Sequence, residues 1–192
     1  MKRIVILPLC LLLLCGGCGK KSSTAANIQE QYSRVATAQM EAEVTFHTPQ
    51  EDRSFTLQCT FTPEESTVTV TAPETVKGVT ATVSGEELTI AYDGAVLSAG
   101  SVGRFGPVNV LPCLLQAIGS GYLLEEGRET LEDADCYRLT LDATAGDTPL
   151  KCTVWLDAET LLPRYAEFAA DDAVVVSAKL LAFSCALQEP EQ

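Results

Sequence analysis

The chain is 192 residues long and carries 26 acidic against 13 basic residues, which gives a formal net charge of −13. A protein this acidic is not expected to reach nucleic acid or an anionic lipid surface through its charge, so both classes of function are disfavoured. Its length and its hydrophobic content of 46% suit one domain with a buried core.

The first eighteen residues have the layout of a secretory signal peptide. Lys2 and Arg3 precede an apolar run over residues 4–15, and Gly16-Gly17 supplies small residues just before Cys18. The apolar run is too short to be read as a membrane-spanning helix. The ending resembles a bacterial lipobox, in which the cysteine becomes the mature N-terminus and carries a diacylglycerol.

Cys18 is the cysteine that we expect to be lipidated, because small Gly17 precedes it whereas bulky Leu14 precedes Cys15. The lipobox usually has leucine at the position that Cys15 occupies. The alternative is an ordinary cleaved signal with incidental cysteines. Removal of residues 1–17 takes away two of the 13 basic residues and no acid, so the mature charge becomes 11 − 26 = −15. The sequence thus predicts an exported protein, anchored by its lipid to the outer face of the cell membrane.

The remaining chain divides into a tether, one domain and a tail. Residues 18–26 are predicted to form the lipidated N-terminus and a flexible tether, because most of them are small or polar. Residues 27–187 are predicted to form a single domain, since no repeat of fixed period and no second domain is visible. Residues 188–192 are predicted to be a frayed tail.

The first half of the domain is predicted to contain a helix followed by strands. An apolar stripe at helical spacing predicts the helix over residues 27–39. Apolar residues then alternate with polar ones in up to five antiparallel strands between Met40 and Tyr92, with turns indicated at residues 49–52 and Asp93-Gly94. These strands would share one apolar face and one threonine-rich face.

A second helix is predicted after these strands. Asn109 can cap a helix that runs through Gln116, and Gly119 can end it. Pro112 is tolerable because it falls in the first turn. Residues 110–118 are apolar on nearly every side, which is typical of a buried helix, so we expect this one to pack across the apolar face of the sheet.

Strands resume at Cys136 and continue to Leu187, with turns at residues 145–147 and 157–160. In the last strand the alternation slips near Lys179, which indicates a β-bulge. The order of helix, strands, buried helix and strands predicts an α+β fold. It is a strongly curved antiparallel sheet, an incomplete and half-open β-barrel, with an N-terminal helix and a buried helix in the concavity.

The second half also carries a resemblance to a known family. Residues 154–163 resemble the strand–turn–strand segment of LolA/LolB-like proteins. Residues 137–141 stand where the preceding family strand would lie, and residues 88–97, with Asp93-Gly94, resemble an earlier hairpin of the family. The family pattern W-[LIV]-D-x-x-[ST]-x-x-P is matched by Trp155, Leu156, Asp157, Thr160 and Pro163. The resemblance covers residues 27–187 loosely and only residues 152–168 at the level of the motif.

The resemblance implies a curved half-barrel whose concave side holds acyl chains of lipoproteins in the carriers of the family. Its anchored relatives include outer-membrane receptors, lipid-transfer lipoproteins and spore-germination lipoproteins of Gram-positive bacteria. This chain departs from the soluble carriers in its predicted anchor at Cys18, and no position matches the basic residue that locks the carriers' lid. We therefore transfer no carrier mechanism from the family.

Two classes of function remain. In the first, the second helix fills the concavity and the protein is a non-catalytic scaffold or binding partner in the cell envelope or spore. In the alternative, the concavity binds or transfers a lipid or an acyl chain. The apolar residues that would line such a site are Phe46, Phe55, Leu57, Val70, Val83, Ile90, Leu111, Leu114, Leu115 and Ile118.

No catalytic residue, metal site or cofactor is predicted. His47 is the one histidine and falls on a polar strand face, and the Gly-rich segment at residues 100–106 lacks a phosphate-loop lysine. Five cysteines follow Cys18, an odd number that leaves at least one without an intramolecular partner. They are Cys59, Cys113, Cys136, Cys152 and Cys185. The strand pattern places Cys136 and Cys152 on opposite faces, which argues against a bond between them.

We expect mass spectrometry of the mature N-terminus to find a diacylglyceryl group on Cys18. The substitution Cys18→Ala should release or mislocalise the protein, because it removes the acceptor of the lipid. Cys15→Ala is the matched control and should leave the lipid in place. An unmodified mature N-terminus at another residue would contradict the prediction.

Overall fold

The computed structural model describes residues 24–85, 87–101, 105–144 and 149–188. The predicted signal peptide, Cys18, most of the tether, the turn at 145–147 and the tail beyond Gln188 lie outside the described residues. No helix within these ranges is both long and apolar enough to cross a membrane.

Two helices and eleven strands make up the described domain. The helices are α1 (Thr24–Ser33) and α2 (Val110–Ser120). The strands before α2 are β1 (Val35–Phe46), β2 (Arg53–Phe61), β3 (Glu65–Ala72), β4 (Thr80–Ser84), β5 (Glu87–Tyr92) and β6 (Ala95–Ser101). Those after it are β7 (Leu123–Leu131), β8 (Ala134–Asp142), β9 (Lys151–Asp157), β10 (Pro163–Ala170) and β11 (Ala173–Leu187).

All eleven strands form one antiparallel sheet in the order β6-β5-β4-β3-β2-β1-β11-β10-β9-β8-β7. The first and the last strand of the chain therefore pair in its middle, where the two longest strands, β1 and β11, run side by side. The sheet remains open, with β6 at one edge and β7 at the other. The predicted fold class is confirmed.

The position of α2 shows how strongly the sheet curves. This helix contacts β2 on one side and β8 and β9 on the other. Four strand spacings separate β2 from β9. A flat sheet would span roughly 19 Å over that distance, whereas a helix with its side chains is about 10–12 Å wide. Contacts with strands this far apart agree with a sheet that curves around α2.

The predicted first helix is correct in its early part and wrong in its extent. The structure begins α1 at Thr24 and ends it at Ser33, and Val35 already belongs to β1. Ile28 and Tyr32 are buried as the helical stripe requires. Val35 is buried too, but as a strand residue paired with Leu187 of β11. Tertiary pairing with the last strand ends the helix.

The alternation of apolar and polar residues missed two strands. The edge strand β7 is largely exposed along its length, so it shows no such alternation. The other edge strand, β6, is uncharged and has small residues at most positions; it pairs with β5 across Asp93-Gly94 and is the second strand of the hairpin that the resemblance implies over residues 88–97. Edge strands carry the weakest sequence signal because little of their surface faces the core.

The second helix is buried as predicted, but its ends differ from the prediction. Asn109 occupies the N-cap position without bonding the helix by its side chain, whose Oδ1 instead accepts from the N–H of Gly106 at 2.8 Å. Gly119 lies inside α2, where a Cβ would come within 3.0 Å of the backbone of Ser33. Glycine is therefore needed for the close approach of α2 to α1 rather than for a helix end.

The predicted bulge in the last strand is confirmed at Leu181. Glu41 pairs with Ala182 and Ala42 with Leu180, so Leu181 is the extra residue of β11. Buried positions are even-numbered before the bulge, and the partly buried Phe183 and Cys185 are odd-numbered after it. The bulge exposes Leu181, which is 52% accessible.

The five described cysteines are free. Burial raises the pKa of Cys59 to about 12 and that of Cys113 to about 11, so both thiols stay protonated and weakly reactive at neutral pH. Cys152 belongs to the apolar core, whereas Cys136 pairs with Asp157 on the other face of the sheet. Their opposite orientation agrees with the prediction.

Truncation of a core leucine in α2 should destabilise the domain strongly. Leu114 is fully buried, so Leu114→Ala should lower the free energy of unfolding by roughly 2–5 kcal/mol through lost burial and a cavity. Leu124 is 44% exposed on β7, and Leu124→Ala should change it by less than about 0.5 kcal/mol. Urea denaturation of both variants measures the difference, and equal effects would contradict the assigned burial.

Candidate functional site

The centre of the concave face is filled by protein side chains. Eight of the ten residues predicted to line a ligand site belong to or pack against one apolar core cluster. They are Phe46, Phe55, Leu57, Val70, Leu111, Leu114, Leu115 and Ile118. Leu57, Leu114 and Ile118 have no exposed surface at all. The structure brings these residues together as a packed core.

Val83 and Ile90 are placed apart from this cluster. Both are half-buried on β4 and β5, in the part of the sheet that extends past α2. Ile90 stands in a row with Ala81 on one side and Leu97 on the other. Leu97 is 67% exposed, so the inner face is covered by α2 at its centre and uncovered near the β6 edge.

The first helix packs against α2 and is bonded to the β9–β10 turn. Ile28 is fully buried in the core, and the hydroxyl of Tyr32 donates a hydrogen bond of 2.8 Å to the carbonyl of Leu161, in the β9–β10 turn. Burial raises the pKa of Tyr32, so this phenol remains a donor. Gln29 donates a further bond of 2.7 Å to Gly121, directly after α2. These contacts hold α1 against both α2 and the sheet.

A second candidate site lies on the opposite, convex face. Tyr165 and Lys179 pair across β10 and β11 and alternate with the fully buried Ala166 and Ala178, so they point away from the core. Beside them is a groove of about 690 Å³, here called the outer groove. It is lined by Leu131, Glu132, Asp157, Thr160, Leu162, Pro163, Arg164, Tyr165, Lys179, Leu180, Leu181, Ala182 and Phe183.

Backbone irregularities shape the outer groove. Arg164 is an extra residue between β9 and β10, and Leu181 is the bulged residue of β11. Glu132 and Leu161 have positive φ angles of 46° and 58°, a conformation that is uncommon for these residue types. Strained backbone concentrates at sites where a side chain has to be aimed in a particular direction. Here the irregularities accompany the exposure of Leu162 and Leu181, which are 37% and 52% accessible.

Two ion pairs line the same groove as these leucines. The ammonium of Lys179 lies 2.8 Å from a carboxylate oxygen of Glu132, and its hydrogen bond and charge lower the pKa of Glu132. Arg164 lies 3.4 Å from Asp157, whose pKa is lowered chiefly by hydrogen bonds from Thr160. These bonds let Asp157 stabilise the turn that the sequence predicts at residues 157–160. The outer groove combines exposed apolar side chains with paired charges, which suits recognition of a protein surface.

Three side chains that sequence reasoning did not connect meet at another point of the convex face. The Nδ1 of His47 lies 3.1 Å from Asp52, and its Nε2 lies 3.1 Å from the hydroxyl of Ser177. The sequence signal was weak because Ser177 is 130 residues away on β11. The contacts reproduce the order of nucleophile, base and acid in a serine hydrolase.

The surroundings of this triplet do not complete a hydrolase site. Ser177 pairs with Thr45 on one side and Glu167 on the other, so its backbone groups are committed to the sheet and its N–H cannot stabilise an oxyanion. Asp52 has a side chain that is 60% exposed, which weakens its hold on His47. The arrangement ties the loop after β1 to β11. Among the described residues, no group of three or more potential ligands could hold a metal ion.

Solved structures with a similar fold include several lipoproteins and related proteins. A DUF1329 family protein from Desulfovibrio piger is 13% identical, with a TM-score of 0.49 over 84% of this chain and 90% of that chain. A LolA superfamily protein from Nitrosomonas europaea is 14% identical, with a TM-score of 0.46 over 87% and 94%. The Mycobacterium tuberculosis lipoprotein LppX is 13% identical, with a TM-score of 0.44 over 88% and 96%. No family model and no curated protein sequence matches the chain. These are similarities of fold.

We expect the purified protein to hydrolyse p-nitrophenyl acetate no faster than its Ser177→Ala variant. The reason is that the His47 and Ser177 contact lacks an oxyanion donor from the nucleophile's own backbone. His47→Ala should likewise leave the background rate unchanged. A rate that falls at least about ten-fold in both variants would establish a catalytic triplet and contradict this prediction.

Proposed function

We propose that this protein is a non-catalytic binding partner or scaffold, anchored at the membrane surface through a lipid on Cys18 and acting in the cell envelope or spore. The observation that carries the proposal is the filled concavity. Leu111, Leu114 and Ile118 of α2 are fully buried in the core. The helix therefore occupies the space that an acyl chain would need.

The outer groove is the surface that we assign to the partner. A filled concavity leaves the outside of the domain to make contacts, and the outer groove is lined by two exposed leucines and two ion pairs. Protein interfaces commonly combine a small apolar centre with a polar rim. The pairing of Lys179 with Glu132 and of Arg164 with Asp157 orders the charged rim before a partner arrives.

Lipid or acyl-chain binding is the second candidate function. One observation favours it: the inner face remains apolar beyond α2, where Ile90 is half-buried and Leu97 is 67% exposed. An acyl chain could lie along this uncovered part of the sheet without displacing α2. This site would be shallower than a closed cavity and would retain a lipid less firmly.

The proposal is tested by photocrosslinking of the full chain in the cells that produce it. A photoreactive amino acid at Leu162 or Leu181 should give one dominant protein adduct, because both positions line the outer groove. Val174 is the matched control, since it is 40% exposed on the same strand as Leu181 but outside the groove. A photoreactive group at Val174 should not give that adduct.

The adduct itself then needs a test of specificity. Leu181→Glu places a charge in the apolar centre and should reduce recovery of the crosslinked partner at least about ten-fold, whereas Val174→Glu should leave it unchanged. Circular dichroism checks that both variants fold. Equal adducts at all three positions, or recovery insensitive to Leu181→Glu, would contradict the outer groove as the partner site.

A further inference from the structure

The two edges of the sheet differ in charge. The strand β7 carries three glutamates and an arginine, and charged side chains discourage the addition of another strand. The strand β6 carries no charged residue and no proline, and its Val96 and Leu97 are each 67% exposed. One edge of the sheet is therefore protected against pairing, and the other is open to it.

The hairpin register identifies which backbone groups of β6 are available. Asp93 and Gly94 form a two-residue turn with φ angles of 48° and 79°, which makes the flanking Tyr92 and Ala95 a hydrogen-bonded pair. Hydrogen-bonded pairs alternate along an antiparallel ladder, so Ala95 and Leu97 direct their N–H and C=O groups toward β5. The corresponding groups of Val96 and Ser98 point outward from the sheet.

We propose that β6 pairs with β6 of a second copy of this chain, antiparallel about a twofold axis at Leu97. This axis sets Val96 opposite Ser98 of the second copy, and the reverse, so outward-directed backbone groups meet on both sides. Each of these two pairs can exchange two hydrogen bonds. Leu97 then faces its counterpart at a non-hydrogen-bonded position, where opposed side chains approach most closely.

The side-chain rows agree with this arrangement. Val68, Ala81, Ile90 and Leu97 are neighbours across four strands and form one apolar row on the inner face. Burial decreases along this row, from 3% exposure at Val68 to 67% at Leu97. Pairing of Leu97 with its counterpart continues the row into the second copy and removes its most exposed member from water.

Charge favours a contact at β6 between two copies. Each mature copy carries the net charge of 11 − 26 = −15 given above, so an interface between identical chains is least opposed where the facing strand has no charged side chain. The assembly also stops at two copies, because pairing uses both β6 edges and leaves only the charged β7 edges.

The bulge at Ala99 and the positive φ of Gly100 limit the ladder between the two copies to the first part of β6. This contact is independent of the outer groove.

A covalent trap tests the geometry in the full chain, extracted in detergent. Leu97→Cys sets two thiols opposite each other at the twofold axis, so mild oxidation with copper phenanthroline should give a disulfide-linked dimer on a non-reducing gel. Tyr122→Cys is the matched control, because Tyr122 is 75% exposed beside the β7 edge. It retains every native cysteine and should give no more covalent dimer than the unsubstituted chain.

A second experiment measures the noncovalent dimer by sedimentation velocity. A strand pair with a small apolar contact is expected to have a Kd on the order of micromolar, so the unsubstituted chain should be dimeric at about 100 µM. Ser98→Pro removes an outward N–H without touching the β5 ladder, and Leu97→Glu places two charges together at the axis. Each should weaken the dimer at least about ten-fold. A monomeric unsubstituted chain, or a dimer that persists in both variants, would overturn the proposal.

Discussion

The apolar circumference of α2 has to be hidden from water, and the form of the sheet follows this requirement. Leu111, Leu114 and Ile118 are fully buried, and burial of each such side chain is worth about 1.5–3 kcal/mol. A flat sheet could cover only one side of the helix. Contacts from β2 on one side and from β8 and β9 on the other enclose it, while α1 packs against its remaining surface through the close approach at Gly119. The pairing of β1 with β11 in the centre of the sheet joins the strands that precede α2 to those that follow it.

Once the concavity is filled, the domain presents its partners with the convex face and the sheet edges. The bulges at Arg164 and Leu181 lie in β10 and β11, and the groove beside them is lined by exposed leucines and by the residues of two ion pairs. The uncharged edge strand β6 is likewise unnecessary to the core. The two proposals rest on the outer groove and on β6, because the packing of the core explains neither of them. The contact of His47 with Ser177, by comparison, is explained by the attachment of a loop to β11.

Much of the fold could be predicted from the sequence because periodicity records burial. The strands from β1 to β4 and from β8 to β11 each bury apolar residues, β5 alternates in sequence without burying any residue fully, and α2 is apolar nearly all round. The pattern failed where burial is weak, as in β6 and β7, and where the strand is irregular. Val35 fits the helical stripe of α1 but is out of phase with the even-numbered buried positions of β1, and a register shift between Val35 and Thr37 lets it be buried as a strand residue paired with Leu187. The outer groove could not be foreseen, since it joins residues of four strands and their turns at points where the backbone departs from regular structure.

The central claim is that α2, and not a lipid, occupies the concavity. Native mass spectrometry of the protein purified from a membrane extract under mild conditions tests it most directly. With the covalent N-terminal lipid counted in the chain mass, the account predicts a species with no additional noncovalent lipid. Hydrogen exchange on the same sample should show slow exchange throughout α2, since a buried helix opens rarely. A stoichiometric noncovalent lipid, together with fast exchange in α2 after that lipid is stripped, would contradict the account and favour a carrier.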